Sequence, residues 1–320
     1  MMVHFILFGE TLESISEEIH LENPKYLKEF HNRHCAKGDL IDHQLVPGKK
    51  LFIPDTDTVK RYNSRNDAPF KHPKLNPEIP FNPENFSRIY SVKNIEREEN
   101  ESSRKSNQLT YTVSVKWIRI EENTHVFHLF KNNFSEENSS KMAYLASESI
   151  KALNPIEVTT DGKGEVIKVG LTEHTIKNFH AIKERLFDFF PDQYAKIYLD
   201  EFEFAVLNED VFDARMKEDI FIKNYFPALR NGFINGTSHL RQSIGENNNK
   251  VDLQQKVKNS DYKEEITLLQ QLNSDDSNKN FNGSYTLYWS SGMVKSIEIQ
   301  SSISQFGVKY SNLFLVEELA

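Results

Sequence analysis

A chain of 320 residues with one cysteine, Cys35, has no intramolecular disulfide framework and no site built on several thiolates. It also has no apolar run near the roughly 20 residues that span a bilayer as a helix. Positive charge is in deficit: 39 Lys and Arg against 47 Asp and Glu leave a formal charge of −8. That balance argues against nucleic acid or an anionic membrane as the main partner, because both attract net positive surface. The start, Met1 to Phe8, reads MMVHFILF; it has no Lys or Arg before its apolar stretch and is interrupted by His4. A classical signal peptide needs a basic start and a longer apolar stretch. A first β-strand is therefore expected, with a cytoplasmic chain whose export, if any, takes a non-classical route. No repeat of fixed period is visible. The length is ample for a buried core, and an apolar fraction of 38% leaves some of the chain outside it.

The composition changes along the chain. Residues 1–54 are compact in pattern. Residues 55–83 carry Pro69, Pro73, Pro77, Pro80 and Pro83, which remove amide donors and bias the backbone to polyproline II. Residues 96–108, opening with Glu96, Glu98, Glu99 and Glu101, read as a solvated loop. The interval 55–108 is thus expected to be a proline-bearing spacer with a polar loop.

From Leu109 the pattern turns globular. Leu109, Tyr111, Val113, Val115 and Trp117 alternate on one face of a strand, and 124–130 supply a partner. Residues 141–153 read as a helix halted by Asn154-Pro155. Asp161-Gly162-Lys163-Gly164 sits between two strand-like runs as a hairpin turn. Three helical stretches follow over 172–189, 193–207 and 209–226. Residues 241–280, rich in Asn, Ser, Gln and Lys, are expected to be a polar insertion with a helical piece over 263–272. Runs at 283–289, 294–299 and 306–316 close the chain as strands. Strands, helices, then strands describe an α+β domain over 109–320 with a mainly antiparallel sheet.

Within residues 3–54, Val3–Phe8 is followed by Gly9-Glu10-Thr11-Leu12, then by Ile15 and Ile19 at helical spacing. Asn23-Pro24 opens a second helix with Tyr26, Leu27 and Phe30, and Asn32 stands near its end. The segment closes on Pro47-Gly48-Lys49-Lys50-Leu51-Phe52-Ile53-Pro54. Each part has a local reason. Gly9 allows a sharp exit from a strand, Thr11 can cap a helix, and Pro47-Gly48 suits the centre of a type II turn.

Together these motifs resemble the LysM domain family, small βααβ modules of about 45–50 residues, over about one-sixth of the chain. The resemblance implies binding rather than catalysis. It implies recognition of N-acetylglucosamine-containing glycan, such as peptidoglycan, in a shallow groove between two loops. By position those loops are Gly9, Glu10, Thr11 and Leu12 on one side and Leu40, Ile41 and Asp42 on the other. LysM-like modules also occur in contractile tails and in secretion or injection assemblies, where they dock on protein. Residues 33–46 form a longer connection than the family usually has, which reshapes one wall of the groove. Glycan and protein both stand as partners at this point, with no cofactor.

Other candidates are plainer. His31, His34, Cys35 and His43 are the best metal set by residue type, yet no Cys-x-x-Cys or His-Glu-x-x-His frame accompanies them. His125 and His128, three apart on a strand, point to opposite faces. His174 and His180 lie six apart on a helix, and Asp200, Glu201 and Glu203 make a polar helix face. No Gly-x-Ser-x-Gly elbow or phosphate-cradling loop is present, so no enzyme activity is expected.

Overall fold

A computed structural model describes residues 2–42, 45–100, 102–137, 140–244, 249–258, 263–273 and 278–319. The chain divides into two compact units, residues 1–77 with 233–236, and residues 78–232 with 237–320.

The first unit runs β1 (Met2–Phe5), α1 (Leu12–Glu18), α2 (Pro24–His34), β2 (Lys50–Ile53) and α3 (Thr56–Asn63). β1 and β2 pair antiparallel, with Val3 opposite Phe52 and His4 opposite Leu51. Thr11 caps α1 through a reciprocal pair with Ser14, and Asn23 caps α2, which starts on Pro24. Ile6, Ile15, Leu27, Phe30, Leu51 and Ile53 form the core. α3 belongs to this core too, so residues 55–63 are not spacer. Asp55 caps the helix, and Val59 and Tyr62 turn inward one helical step apart. Tyr62 stacks on Tyr26 at 4.7 Å between ring centroids, and Arg65 covers both rings.

The second unit is α+β. Its strands are β3 (Ser87–Glu99), β4 (Arg104–Glu121), β5 (Thr124–Glu136), β6 (Ile156–Thr160), β7 (Val166–Leu171), β8 (Thr237–Ile244), β9 (Asn249–Val257), β10 (Glu265–Leu272), β11 (Lys279–Tyr288), β12 (Val294–Gln305) and β13 (Val308–Glu318). Its helices are α4 (Lys141–Ala152), α5 (Glu173–Lys177), α6 (Phe179–Phe189), α7 (Gln193–Leu207), α8 (Glu209–Lys217) and α9 (Ile220–Tyr225). All eleven strands form one open antiparallel sheet in the order β7-β6-β5-β4-β3-β13-β12-β11-β10-β9-β8. The expected α+β class with a mainly antiparallel sheet is what the chain adopts.

Two expectations are corrected here. The Glu-rich stretch at 96–99 is not a loop but the end of β3, where Glu98 faces Lys105 and Glu99 faces Arg104 across the ladder. Opposite charges on neighbouring strands suit an exposed sheet end. The polar interval 241–280 is not an insertion either. It supplies β8, β9, β10 and the start of β11, and the expected helix over 263–272 is the strand β10. Ile266, Leu268 and Gln270 alternate inward with period two, which a strand buries on one face and a helix does not. Asn247 and Asn248 lie outside the described residues.

The inner face of this sheet is held by α9 and the residues after it. Asp219 caps α9 with one carboxylate oxygen, and its other oxygen accepts the Lys131 ammonium of β5 at 2.6 Å. The Tyr225 hydroxyl donates to Tyr90 of β3 at 3.0 Å, and Tyr90 donates to the Val294 carbonyl of β12. Gln242 of β8 donates to Asn224, and Gln255 of β9 donates to the Leu229 carbonyl. A six-residue helix is only ~9 Å long. Flat, β5 and β8 would stand ~38 Å apart, being eight inter-strand spacings of ~4.8 Å. One short helix reaches both, so the sheet curls around it. Arg230 closes the same region by donating to the carbonyls of Pro80, Lys163 and Gly292, with Phe81 beneath its guanidinium at 4.4 Å. Burial lowers its pKa to about 10.

Lys131 is 2% exposed and fully enclosed. Replacing it with Met should lower unfolding free energy by ~3 kcal/mol, because Asp219 is left without its countercharge. Adding Asp219→Asn, which keeps the helix cap, should recover part of that loss. Urea unfolding followed by circular dichroism measures both; equal losses for the single and double variants would contradict the pairing.

Candidate functional site

The two loops singled out by sequence lie in the first unit, and both rest on its core. Leu12 and Ile41 pack into the same apolar cluster. Gly9 has φ +89°, a conformation that favours glycine, and nothing lies within 4 Å of where a Cβ would stand. Its role is conformational: it turns the chain from the end of the first strand into the Thr11 cap.

Most polar groups of these loops are committed within the protein. The Glu10 carboxylate accepts from the Leu7 backbone N–H at 2.7 Å and from His4 Nε2 at 2.8 Å. These bonds, the His4 one foremost, hold its pKa below the ordinary glutamate value of 4.5. The Thr11 hydroxyl accepts from Ser14 N–H, while Ser14 Oγ accepts from Thr11 N–H. On the other side, Asn32 acts as a side-chain peptide. Its Oδ1 accepts from Ile41 N–H at 2.8 Å and its Nδ2 donates to the Ile41 carbonyl at 3.0 Å. Lys28 donates to the Asp42 carbonyl at 2.7 Å. Ile41 is buried, so its backbone and side chain both face the protein.

These loops turn outward polar residues, Thr11, Asp39 and Asp42 among them, and several large apolar ones. Phe8 is 96% exposed, and Leu7, Leu40 and Val46 are each more than half exposed. The ladder continues past β1 through Ile6 N–H to the Lys49 carbonyl and Gly48 N–H to the Ile6 carbonyl. Lys49 in turn donates to the Gly38 carbonyl. The backbone bonds set residues 6–7 beside 46–49 at one end of the two-stranded sheet, and the Lys49 side chain reaches Gly38. Sequence reasoning missed Leu7, Phe8 and Val46. The run Phe5-Ile6-Leu7-Phe8 was legible as apolar, but only Ile6 of the four is buried.

The histidine set near the loop is structural. His31 is buried; its Nδ1 accepts from Phe52 N–H and its Nε2 donates to the Asp39 carbonyl. Both ring nitrogens are thus spent on backbone. His34 bonds the Phe30 carbonyl through Nδ1, Cys35 is half-buried, and His43 lies outside the described residues. Among the described residues, no group of three or more His, Cys, Asp or Glu side chains could hold a metal ion.

In the second unit His125 is buried, accepts from the Trp117 indole at 3.3 Å and has its pKa lowered by burial, whereas His128 lies by Glu157. Asp200 and Glu203 both bind Lys183 of α6, and Glu201 stands apart from them. Among the described residues no helix is long and apolar enough to cross a membrane, a statement that does not concern strands.

No family model matches this chain, and no curated protein matches it. Among solved structures it is similar to one of lipid–protein interactions in lipovitellin, at 10% identity and a TM-score of 0.41. That match covers 73% of this chain and 25% of the other, so the chain spans about a quarter of that protein. It is also similar to DynF from the dynemicin biosynthesis pathway of Micromonospora chersina, at 6% identity and a TM-score of 0.18, over 75% and 84% of the two chains. A DUF1329 family protein from Desulfovibrio piger matches at 6% identity and a TM-score of 0.21, over 73% and 87%. Likeness at these scores carries no argument about what this chain does.

Two predictions follow from the loop geometry. Asn32→Ala should cost ~2 kcal/mol, since it unpairs both backbone groups of a buried residue. Asn32→Asp should not restore it, because a carboxylate offers no N–H to the Ile41 carbonyl; amide exchange at Ile41 reports both. Glu10, with a lowered folded pKa, contributes stability that is present above its unfolded value near 4.5 and lost as pH falls through the folded one. A carbon-detected titration should place Glu10 below 4.5, and His4→Ala should move it upward.

Proposed function

We propose that this chain is a non-catalytic binding protein whose first unit is a LysM-like recognition module that docks on protein, in the manner of modules in contractile-tail and injection assemblies. The observation that supports this reading is the division of labour in the two loops. Glu10, Thr11 and Ile41 spend their polar groups inside the module, while Phe8, Leu7, Leu40 and Val46 face outward. An exposed apolar surface of this kind gains free energy by excluding water against another apolar surface. Recognition of an acetamido group relies instead on free backbone donors and acceptors, and at Ile41 both are already bonded.

One observation favours the second reading, N-acetylglucosamine-containing glycan. Phe8 offers a fully open aromatic face beside Gly9, where the backbone carries no covering side chain. A ring of that kind can lie against the apolar face of a pyranose.

The two readings separate in one experiment on the full chain. Calorimetric titration with chitopentaose at millimolar concentration should give no saturable heat. Co-purification from cells that express a tail or injection assembly should retain a baseplate or spike component, and Phe8→Ser with Leu40→Ser should release it. Saturable chitopentaose binding that Phe8→Ser removes would replace docking with glycan recognition. A partner set untouched by the double substitution would remove the docking reading.

A further inference from the structure

Residues 78–86 lead into β3 as a strap fastened to β4, to the β11–β12 turn and to Arg230. Pro80 and Pro83 have no N–H to give, so the strap pairs sparsely. Asn82 N–H donates to the Ser291 carbonyl at 2.9 Å, and the Phe86 carbonyl accepts from Trp117 N–H of β4 at 2.8 Å. The Pro80 carbonyl accepts from Arg230 Nε at 3.2 Å. Between these points the Phe81 ring meets His125 of β5 in a T-shaped contact at 5.2 Å and approaches Phe127 at 6.2 Å. Gly164 makes room for it, since a Cβ there would stand 2.8 Å from the Phe81 ring.

His125 is the titratable group against this ring. It is 6% exposed, and its Nδ1 faces the Trp117 indole at 3.3 Å. An indole N–H only donates, so Nδ1 is the bare nitrogen and the proton rides on Nε2. A second proton would set two N–H groups against each other and bury a cation. The carboxylates acting on the ring are Glu84 of the strap and Asp161 of the β6–β7 turn. Both favour the charged form, yet burial outweighs them and holds the pKa below the ordinary 6.5. Asp161 is also engaged with the Lys163 and Glu165 N–H groups of its own turn. Arg230, over the Phe81 ring at 4.4 Å, is a further positive charge in the same neighbourhood. A buried histidine with a depressed folded pKa costs nothing at neutral pH. It lowers stability as pH falls from 6.5 through the folded value.

We infer that His125 is an acid-sensitive latch on the strap: neutral, it holds the Trp117 indole and seats Phe81; protonated, it gives up both, and residues 78–86 come away from the sheet. Trp117 ties the two events together, because its backbone N–H holds Phe86 while its indole holds His125. The strand ladders do not run through the strap, so it opens as a local unit. Release turns a fixed segment into a free connection ahead of β3. The latch uses none of the residues of the first unit, so it stands apart from the function proposed above.

The test is amide hydrogen exchange on the full chain at pH 7.5 and 5.5, corrected for the intrinsic exchange rate. Opening at the Asn82 and Trp117 amides should rise about fivefold to tenfold at the lower pH, which is the bias given by a solvated ring with a pKa near 6.5. The amides of Val113 and Val158, in the strand ladders, should keep their opening constants. His125→Gln, whose carbonyl accepts the same indole N–H and does not titrate, should keep the strap protected and make its opening independent of pH. Titration of the His125 ring by NMR in the unaltered chain, which needs no variant to fold, should place it below 6.5. The proposal is overturned if Asn82 and Trp117 open equally at both pH values, or if His125→Gln retains the parent's dependence. It is also overturned if the ladder amides loosen by the same factor, which is acid destabilisation of the whole unit, or if the ring titrates at 6.5 or above.

Discussion

The curvature of the large sheet depends on the polar grip that α9 and its flanks exert on strands far apart in the sheet order. Hydrophobic burial alone would let a short helix slide on a pleated surface, because that term has no direction. The Asp219–Lys131 pair, the Tyr225–Tyr90–Val294 chain and the amides of Asn224, Gln242 and Gln255 fix its position and its rotation. Each of these groups is costly to bury alone and tolerable only with its partner in place. An arrangement that displaces α9 therefore breaks several bonds together, and the curl of the sheet and the seat of the helix determine one another.

That dependence explains which parts of the second unit were legible from the chain. β4 was readable because Tyr111, Val113 and Val115 face inward and alternate with Thr112 and Ser114. β9 and β10 were not, because Gln255 and Gln270 occupy core positions normally filled by apolar residues. Gln270 donates to Gln255, which donates to the Leu229 carbonyl of the segment after α9, while the Gln270 side-chain oxygen is buried without a partner. A local pattern cannot show that, and a Gln-rich stretch reads as solvated. β3 was obscured for another reason. Its outer partner, β13, lies more than two hundred residues along the chain, and that pairing is what makes the central sheet continuous.

In the first unit the short-range features carried more information. Gly9, Thr11, Asn23-Pro24 and Pro47-Gly48 act through their own turns and caps, and the elements start and stop where those residues dictate. The site was less legible than the frame. Asn32 could be read as a helix-end residue, but its grip on both backbone groups of Ile41 spans nine positions and needs the fold. That grip changes the meaning of Leu40, Ile41 and Asp42. A loop expected to form one side of a recognition groove holds its central residue turned inward and exposes Leu40 and Asp42.

The inner side of the curved sheet is occupied by the protein itself: Tyr90, Phe127, Tyr225, Phe226 and Tyr285 are buried there, and burial pushes the hydroxyl pKa values of Tyr90, Tyr225 and Tyr285 upward. Displacing α9 from that space would break its bonds to β3, β5 and β8. Among the described residues, large apolar side chains that face solvent include Leu7 and Phe8 after β1, Phe204 and Leu207 on α7, and Phe306 between β12 and β13. Apolar surface of this kind costs free energy while it is hydrated and gains it back when another apolar surface excludes that water.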